Sequence, residues 1–222
     1  MNVLEIGCGP QAIATIPLAL AVGRCGRVVA LDRGRWWDFR RLVDASGLHT
    51  RVIPVQEDAR RLPFLDSSFD LVVCIHGIHS FENHEAVVAS VREMLRVSKE
   101  RIFIAESSPI AKNKAQEAHL AMYGLRRPLF LALGRGELGD MHYFRPKEME
   151  RIVKQAGATR ISSKLVDVNI PHHLAWFPID MVKKAKNKRV RDRLEKKWKE
   201  AENMLDQYGE EHPPVIVLNA WK

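Results

Sequence analysis

Five apolar runs recur in the first half of the chain: Val3–Ile6, Arg27–Asp32, Val52–Val55, Asp70–Ile75 and Arg101–Ala105. Most are separated by stretches with helical spacing. Gln11 to Val22 is a run of small apolar residues, a second stretch carries Phe39, Leu42 and Val43, and Glu85 to Val97 places Val87, Val91, Met94 and Leu95 on one face. Strands made almost continuously of Val, Ile and Leu are buried on both faces. Parallel strands also need crossover connections, so this alternation predicts an α/β fold with a parallel sheet between two helical layers. The pattern loosens after Glu106. Helices are expected near Ala111–Tyr123 and Pro128–Leu133, then a Gly-rich stretch over 134–139. Pro146 opens a helix that runs to Gln155 before Gly157, Arg160–Val168 is a sixth strand and Val215–Trp221 a last one. With no repeat and no low-complexity linker, a single domain over 1–222 is expected, with 109–145 and 172–212 as appended segments.

Charge is unevenly spread. Residues 183–199 hold ten Lys and Arg against two acids, while the other 25 basic residues are matched by 25 acidic ones. Val190, Leu194, Trp198, Ala201, Leu205 and Tyr208 follow steps of three and four, the stripe of an amphipathic helix. This helix reads as a solvated lid, as a phosphate-neutralising surface for RNA, or as a membrane-surface element. No aromatic residue interleaves with the charges as a base-stacking platform requires. Cys8, Cys25 and Cys74 have no C-x-x-C spacing, and neither a leader nor a run of about 20 apolar residues is seen, so a reduced, cytoplasmic protein is expected.

The chemistry-bearing residues gather at the ends of the first four strands. Gly7-Cys8-Gly9 follows the first strand, where glycines let a nucleotide approach the backbone; alone it fits several nucleotide-binding sheets. Glu5 lies inside the first strand, Asp32 closes the second where a carboxylate can accept two ribose hydroxyls, and Glu57-Asp58-Ala59 closes the third. Cys74-Ile75-His76-Gly77-Ile78-His79 closes the fourth.

At these residues the chain resembles the class I S-adenosylmethionine-dependent methyltransferases of the branch called methyltransferase type 11. Val3-Leu4-Glu5-Ile6-Gly7-Cys8-Gly9-Pro10 is similar to the family's first motif. Asp58-Ala59-Arg60-Arg61-Leu62-Pro63-Phe64 with Ser67-Ser68-Phe69-Asp70, the segment Ile78-His79-Ser80-Phe81, and the entry Tyr143-Phe144-Arg145-Pro146 to a late helix resemble further family segments. The resemblance implies a Rossmann-like seven-stranded sheet of order 3-2-1-4-5-7-6 with an antiparallel last strand, and S-adenosylmethionine across the strand ends. By position, Glu5, Gly7 and Gly9 would hold the methionine end, Asp32 the ribose with Arg33 beside it, and Asp58 and Ala59 the adenine. Cys74 would contribute backbone, and Cys8 and Cys74 would both stand next to the cofactor as small residues. His76 and His79 are candidate catalytic bases, and Tyr123, His142 and Tyr143 candidate acceptor contacts.

Three departures are visible: Gln11 replaces a frequent third glycine, no helix precedes the first strand, and about 40 residues separate the last two strands where the family has a hairpin. The insertion is expected to supply a missing cover or to build the acceptor site. No Asn/Asp-Pro-Pro-Tyr segment follows the fourth strand, which argues against methylation of exocyclic base amines. No cysteine pair suggests a metal site. The expected function is methyl transfer to a small molecule, the alternatives being an RNA methyltransferase docking on the basic helix and a non-catalytic cofactor-binding regulator. A nicotinamide dehydrogenase fits poorly with Glu5 and the Asp58 segment.

Overall fold

The computed structural model describes residues 1–34, 36–134, 143–169 and 178–222. Its seven strands are β1 (Asn2–Ile6), β2 (Arg27–Asp32), β3 (Val52–Gln56), β4 (Leu71–Ile75), β5 (Arg101–Ser107), β6 (Arg160–Val166) and β7 (Val215–Trp221). They form one sheet of order β3-β2-β1-β4-β5-β7-β6, as the family resemblance implied. Pairing is parallel from β3 through β5, with Glu5 opposite both Ala30 and Val73. Two hydrogen bonds set the direction of β7. Lys222 N–H donates to the Glu100 carbonyl and Ser108 N–H to that of Pro214, so the end of β7 meets the start of β5 and the last strand is antiparallel.

The helices are α1 (Thr15–Ala21), α2 (Trp36–Ala45), α3 (His84–Val97), α4 (Lys114–Tyr123), α5 (Arg126–Ala132), α6 (Pro146–Gln155), α7 (Ile179–Lys183) and α8 (Lys188–Tyr208). Asn83 caps α3 by accepting from Ala86 N–H, and Asn113 and Asn187 cap α4 and α8 in the same way. The first helix is shorter than the apolar run that foretold it. Residues 11–14 form a turn in which Ala12 takes a left-handed φ of 50°, and Pro17 is left in the first turn, where a missing N–H costs nothing.

The chain divides into two compact units. The first comprises Met1–Glu106, Pro146–Lys164 and Ile216–Lys222 and holds nearly all of the sheet. On one side Val3, Val28, Ala30 and Val73 pack with Phe39 and Val43 of α2 and with Ala19 of α1. The helices α3 and α6 pack together, burying Met94 and Leu95 from one and Met149, Ile152 and Val153 from the other. Each such aliphatic side chain contributes about 1.5–3 kcal/mol.

The second unit comprises Ser107–Arg145 and Leu165–Val215. Leu194, Trp198 and Ala201 of α8 pack on Met122, Leu125, Leu129 and Val182, so the predicted stripe is a core seam. Tyr208, counted in that stripe, is 42% exposed because it lies in the last turn, beyond the seam. Among the described residues no helix is long and apolar enough to cross a membrane.

Candidate functional site

The loop after β1 is shaped by left-handed residues, with φ of 71° at Gly7 and 62° at Gly9. Gln11 is not among the left-handed residues, so the bend that a third glycine would serve falls instead on Ala12. Gly7 is also crowded, since a β-carbon there would lie 3.2 Å from the Gly77 α-carbon. At Gly77 a β-carbon would meet the Cys74 sulfur at 2.7 Å and the Ile6 carbonyl oxygen at 3.1 Å. The ends of β1 and β4 approach so closely that only two glycines fit face to face.

Beside this pair lies an open cleft lined by Gly7, Leu31, Asp32, Arg33, Asp58 and Ala59, with Ile6, Glu57, Gly77, Ser80 and Phe81. Five expected cofactor residues (Gly7, Asp32, Arg33, Asp58 and Ala59) thus share one cavity. Four do not line it. Cys74 is fully buried, Cys8 and Glu5 are nearly so, and Gly9 reaches the site only through its N–H, which donates to Asp32 Oδ2 at 3.0 Å. The sequence reading missed Gly77, although a glycine between two histidines at a strand end was the available signal. The second carboxylate beside Asp58, Glu57, was visible there but given no separate role.

Asp32 already organises the cleft. Its Oδ1 accepts from Gly34 N–H at 3.2 Å while Oδ2 holds Gly9, which ties together the loops after β1 and β2. A carboxylate has about four acceptor positions, so two remain for ligand hydroxyls. Asp58 accepts from the Arg60 guanidinium and backbone N–H, and the paired guanidinium holds its carboxyl below the usual range. Glu5 is different. Its carboxyl is buried, accepts from Thr15 Oγ1 at 2.6 Å, and is pushed up to about 7, chiefly by burial, with the Thr15 bond opposing and the Asp32 charge adding to the shift. Burial also pushes the Cys8 and Cys74 thiols up, so both are packing residues and not nucleophiles. Trp36 packs edge-on against Phe39 at 5.1 Å, and Trp37 is 78% exposed; neither lines the cleft.

The two histidines come together around a third residue. His79 Nδ1 lies 2.9 Å from Glu106 Oε2, and Glu106 Oε1 accepts from Ile78 N–H at 2.7 Å. Glu106, at the end of β5, is 1% exposed. His76 has a φ of 51°, and burial holds its imidazole below the usual histidine range. The ligating atoms of His76, His79 and Glu106 all lie within 4.8 Å of one another, a group of metal-binding type among the described residues that a search for cysteine pairs did not foresee. Glu106 was missed because it closes an apolar strand 27 positions from its partner. Gly77 and Ser80, which alternate with the two histidines in sequence, line the cleft.

The expected acceptor residues lie in the second unit. The Tyr123 and Tyr143 rings are 5.1 Å apart, and Tyr123 also stacks on the buried His119 at 5.8 Å. Burial pushes the Tyr143 phenol well up, so it stays neutral. His142 lies outside the described residues.

Comparison with known proteins agrees with this geometry. The chain is 27% identical over 129 residues to a highly reducing polyketide synthase of Gibberella moniliformis, covering 58% of this chain and 5% of that protein. It is 34% identical over 113 residues to demethylmenaquinone methyltransferase of Mycobacterium bovis, covering 48% of this chain and 45% of the relative. The chain therefore spans less than half the length of these relatives. A cyclopropane-fatty-acyl-phospholipid synthase-like protein from Lactobacillus casei superposes with a TM-score of 0.74 at 20% identity, over all of this chain and 84% of the other, and shares the fold. Residues 4–101, which span β1 to the start of β5 and include the whole cleft, match the family model described as a methyltransferase domain. Residues 4–101 are thus similar to the methyltransferase domain of the class I S-adenosylmethionine-dependent enzymes of type 11, and S-adenosylmethionine is the cofactor that this similarity implies.

Proposed function

We propose that the protein transfers a methyl group to a small organic acceptor whose reacting atom carries an acidic proton, and that His79 removes that proton. The observation that carries this reading is the His79–Glu106 pair beside the cleft. With Nδ1–H donated to Glu106, the other ring nitrogen of His79 presents its lone pair to an acceptor. Glu106, fixed in turn by Ile78 N–H, orients the ring and stabilises the imidazolium that forms.

The cleft fits the cofactor by the chemistry of its donors. Asp32 has acceptor capacity left for ribose hydroxyls, and Asp58 and Ala59 line the part of the cleft proposed for the adenine. The close Gly7–Gly77 contact leaves backbone, without side chains, beside the ligand. S-adenosylmethionine supplies an electrophilic methyl group on a sulfonium. The chain's own work is then to bind, to exclude water and to take the proton. The segments 109–145 and 172–212 are proposed to cover the acceptor, with Tyr123, Tyr143 and His142 as contacts. Two relatives support a small acceptor, since a demethylmenaquinone methyltransferase and a polyketide synthase are both named for small organic compounds.

Asp32→Ala is expected to weaken S-adenosylmethionine binding by about 1–3 kcal/mol, roughly 5- to 150-fold, as read by calorimetry. Unchanged affinity would remove Asp32 from the site. The function itself is tested by incubating the protein with methyl-labelled S-adenosylmethionine and a cell extract. Label in the small-molecule fraction is expected. Label in nuclease-sensitive polymer would favour an RNA methyltransferase, and cofactor binding without any transfer would favour a regulatory module.

A further inference from the structure

The cations of residues 183–199 lie on α7, on the turn after it and on the first part of α8, all within the second unit. Nine of the ten are exposed; Arg191 is half-buried and donates to the Ala185 carbonyl at 3.1 Å. Among the described residues, carboxylates stand within ion-pair distance only of Lys183, beside Asp180, and of Lys196, which is 3.9 Å from Glu200. Because Leu194, Trp198 and Ala201 are buried in the seam, the charged side of α8 faces outward.

Helix stability does not explain this distribution. The positive end of a helix dipole favours acids in the first turn, yet α8 has none there, and Lys188, Arg189 and Arg191 occupy it. From Glu200 to Tyr208 there are three acids and no Lys or Arg, again the reverse of what the dipole prefers. The helix thus carries an unfavourable charge order along its own axis. That order concentrates positive potential on a ridge of about 18 Å.

We infer that this ridge is a docking surface for an anionic lipid bilayer. Seven of its ten cations are Lys, hydrated point charges suited to diffuse attraction toward a charged plane, whereas bidentate reading of individual phosphates calls for Arg. Its single aromatic residue, Trp198, is 9% exposed and packed in the seam, so no base-stacking platform faces outward. Attachment is then electrostatic, reversible and screened by salt, without insertion of an apolar face.

The test is co-sedimentation of the full chain with vesicles of phosphatidylcholine alone and of phosphatidylcholine with an equal part of phosphatidylglycerol, at 0.1 and 0.5 M salt. Binding is expected only to the anionic vesicles and only at low salt. Each cation near the surface changes partitioning about fivefold. The variant Lys184→Gln, Lys188→Gln, Lys196→Gln, Lys199→Gln should therefore bind about 10²- to 10³-fold more weakly, with an unchanged melting curve because all four side chains are exposed. Equal binding to neutral vesicles, no binding to anionic ones, or undiminished binding by the variant would overturn the inference. So would tight binding of a short RNA by a protein that leaves the anionic vesicles free. The salt dependence of the unsubstituted chain gives an answer even if the variant folds poorly.

Discussion

His79→Ala should lower methyl transfer by about 10²- to 10⁴-fold while leaving S-adenosylmethionine affinity within about twofold, because a positioned general base contributes that much and the side chain does not line the cleft. Glu106→Gln should lower it as well, since the single amide oxygen cannot accept from both Ile78 N–H and His79 Nδ1–H and carries no charge to stabilise the imidazolium. The informative readout is the rate of transfer at saturating cofactor set beside the affinity for the cofactor. A variant that transferred methyl at the unsubstituted rate would exclude His79 as the base. Equal loss of cofactor binding and transfer would mean that the histidine only supports the fold.

Glu5→Gln should stabilise the protein by roughly 3 kcal/mol at pH 8 and change little at pH 5. The folded chain holds the Glu5 proton up to about pH 7, whereas the unfolded chain releases it near 4.5. Between those values the folded state binds more protons, so stability falls as pH rises. The penalty is absent below the lower value and complete above the upper one. A glutamine keeps an acceptor for Thr15 Oγ1 without carrying a charge into the core. Urea unfolding of both proteins at pH 5 and pH 8 measures this directly. Parallel pH slopes would show that Glu5 is ionised without cost.

The sheet was legible because strand and helix periodicities do not overlap: Arg27–Asp32 and Val215–Trp221 begin and end where the apolar pattern does. Gln11 to Ala14 misled because a run of small apolar residues carries no sign of the left-handed turn at Ala12. Asp32, Asp58 and Ala59 were readable at strand ends, since in a parallel sheet those ends meet at one edge. Glu106 and Gly77 were not. The role of Glu106 depends on β4 and β5 being neighbours, and that of Gly77 on β1 approaching β4. Both are facts of pairing that no local window contains. Glu5 was recognised as unusual within a buried strand, but its hydrogen bond to Thr15 depends on how α1 lies against the sheet.

The measurement that bears most directly on the account is a crystal structure with S-adenosylhomocysteine. The account predicts ribose hydroxyls on Asp32, the adenine edge at Asp58 and Ala59, and the sulfur on the side of the cleft that His79 and Glu106 occupy. A ligand bound without touching Asp32, or with its sulfur turned away from the His79–Glu106 pair, would contradict it.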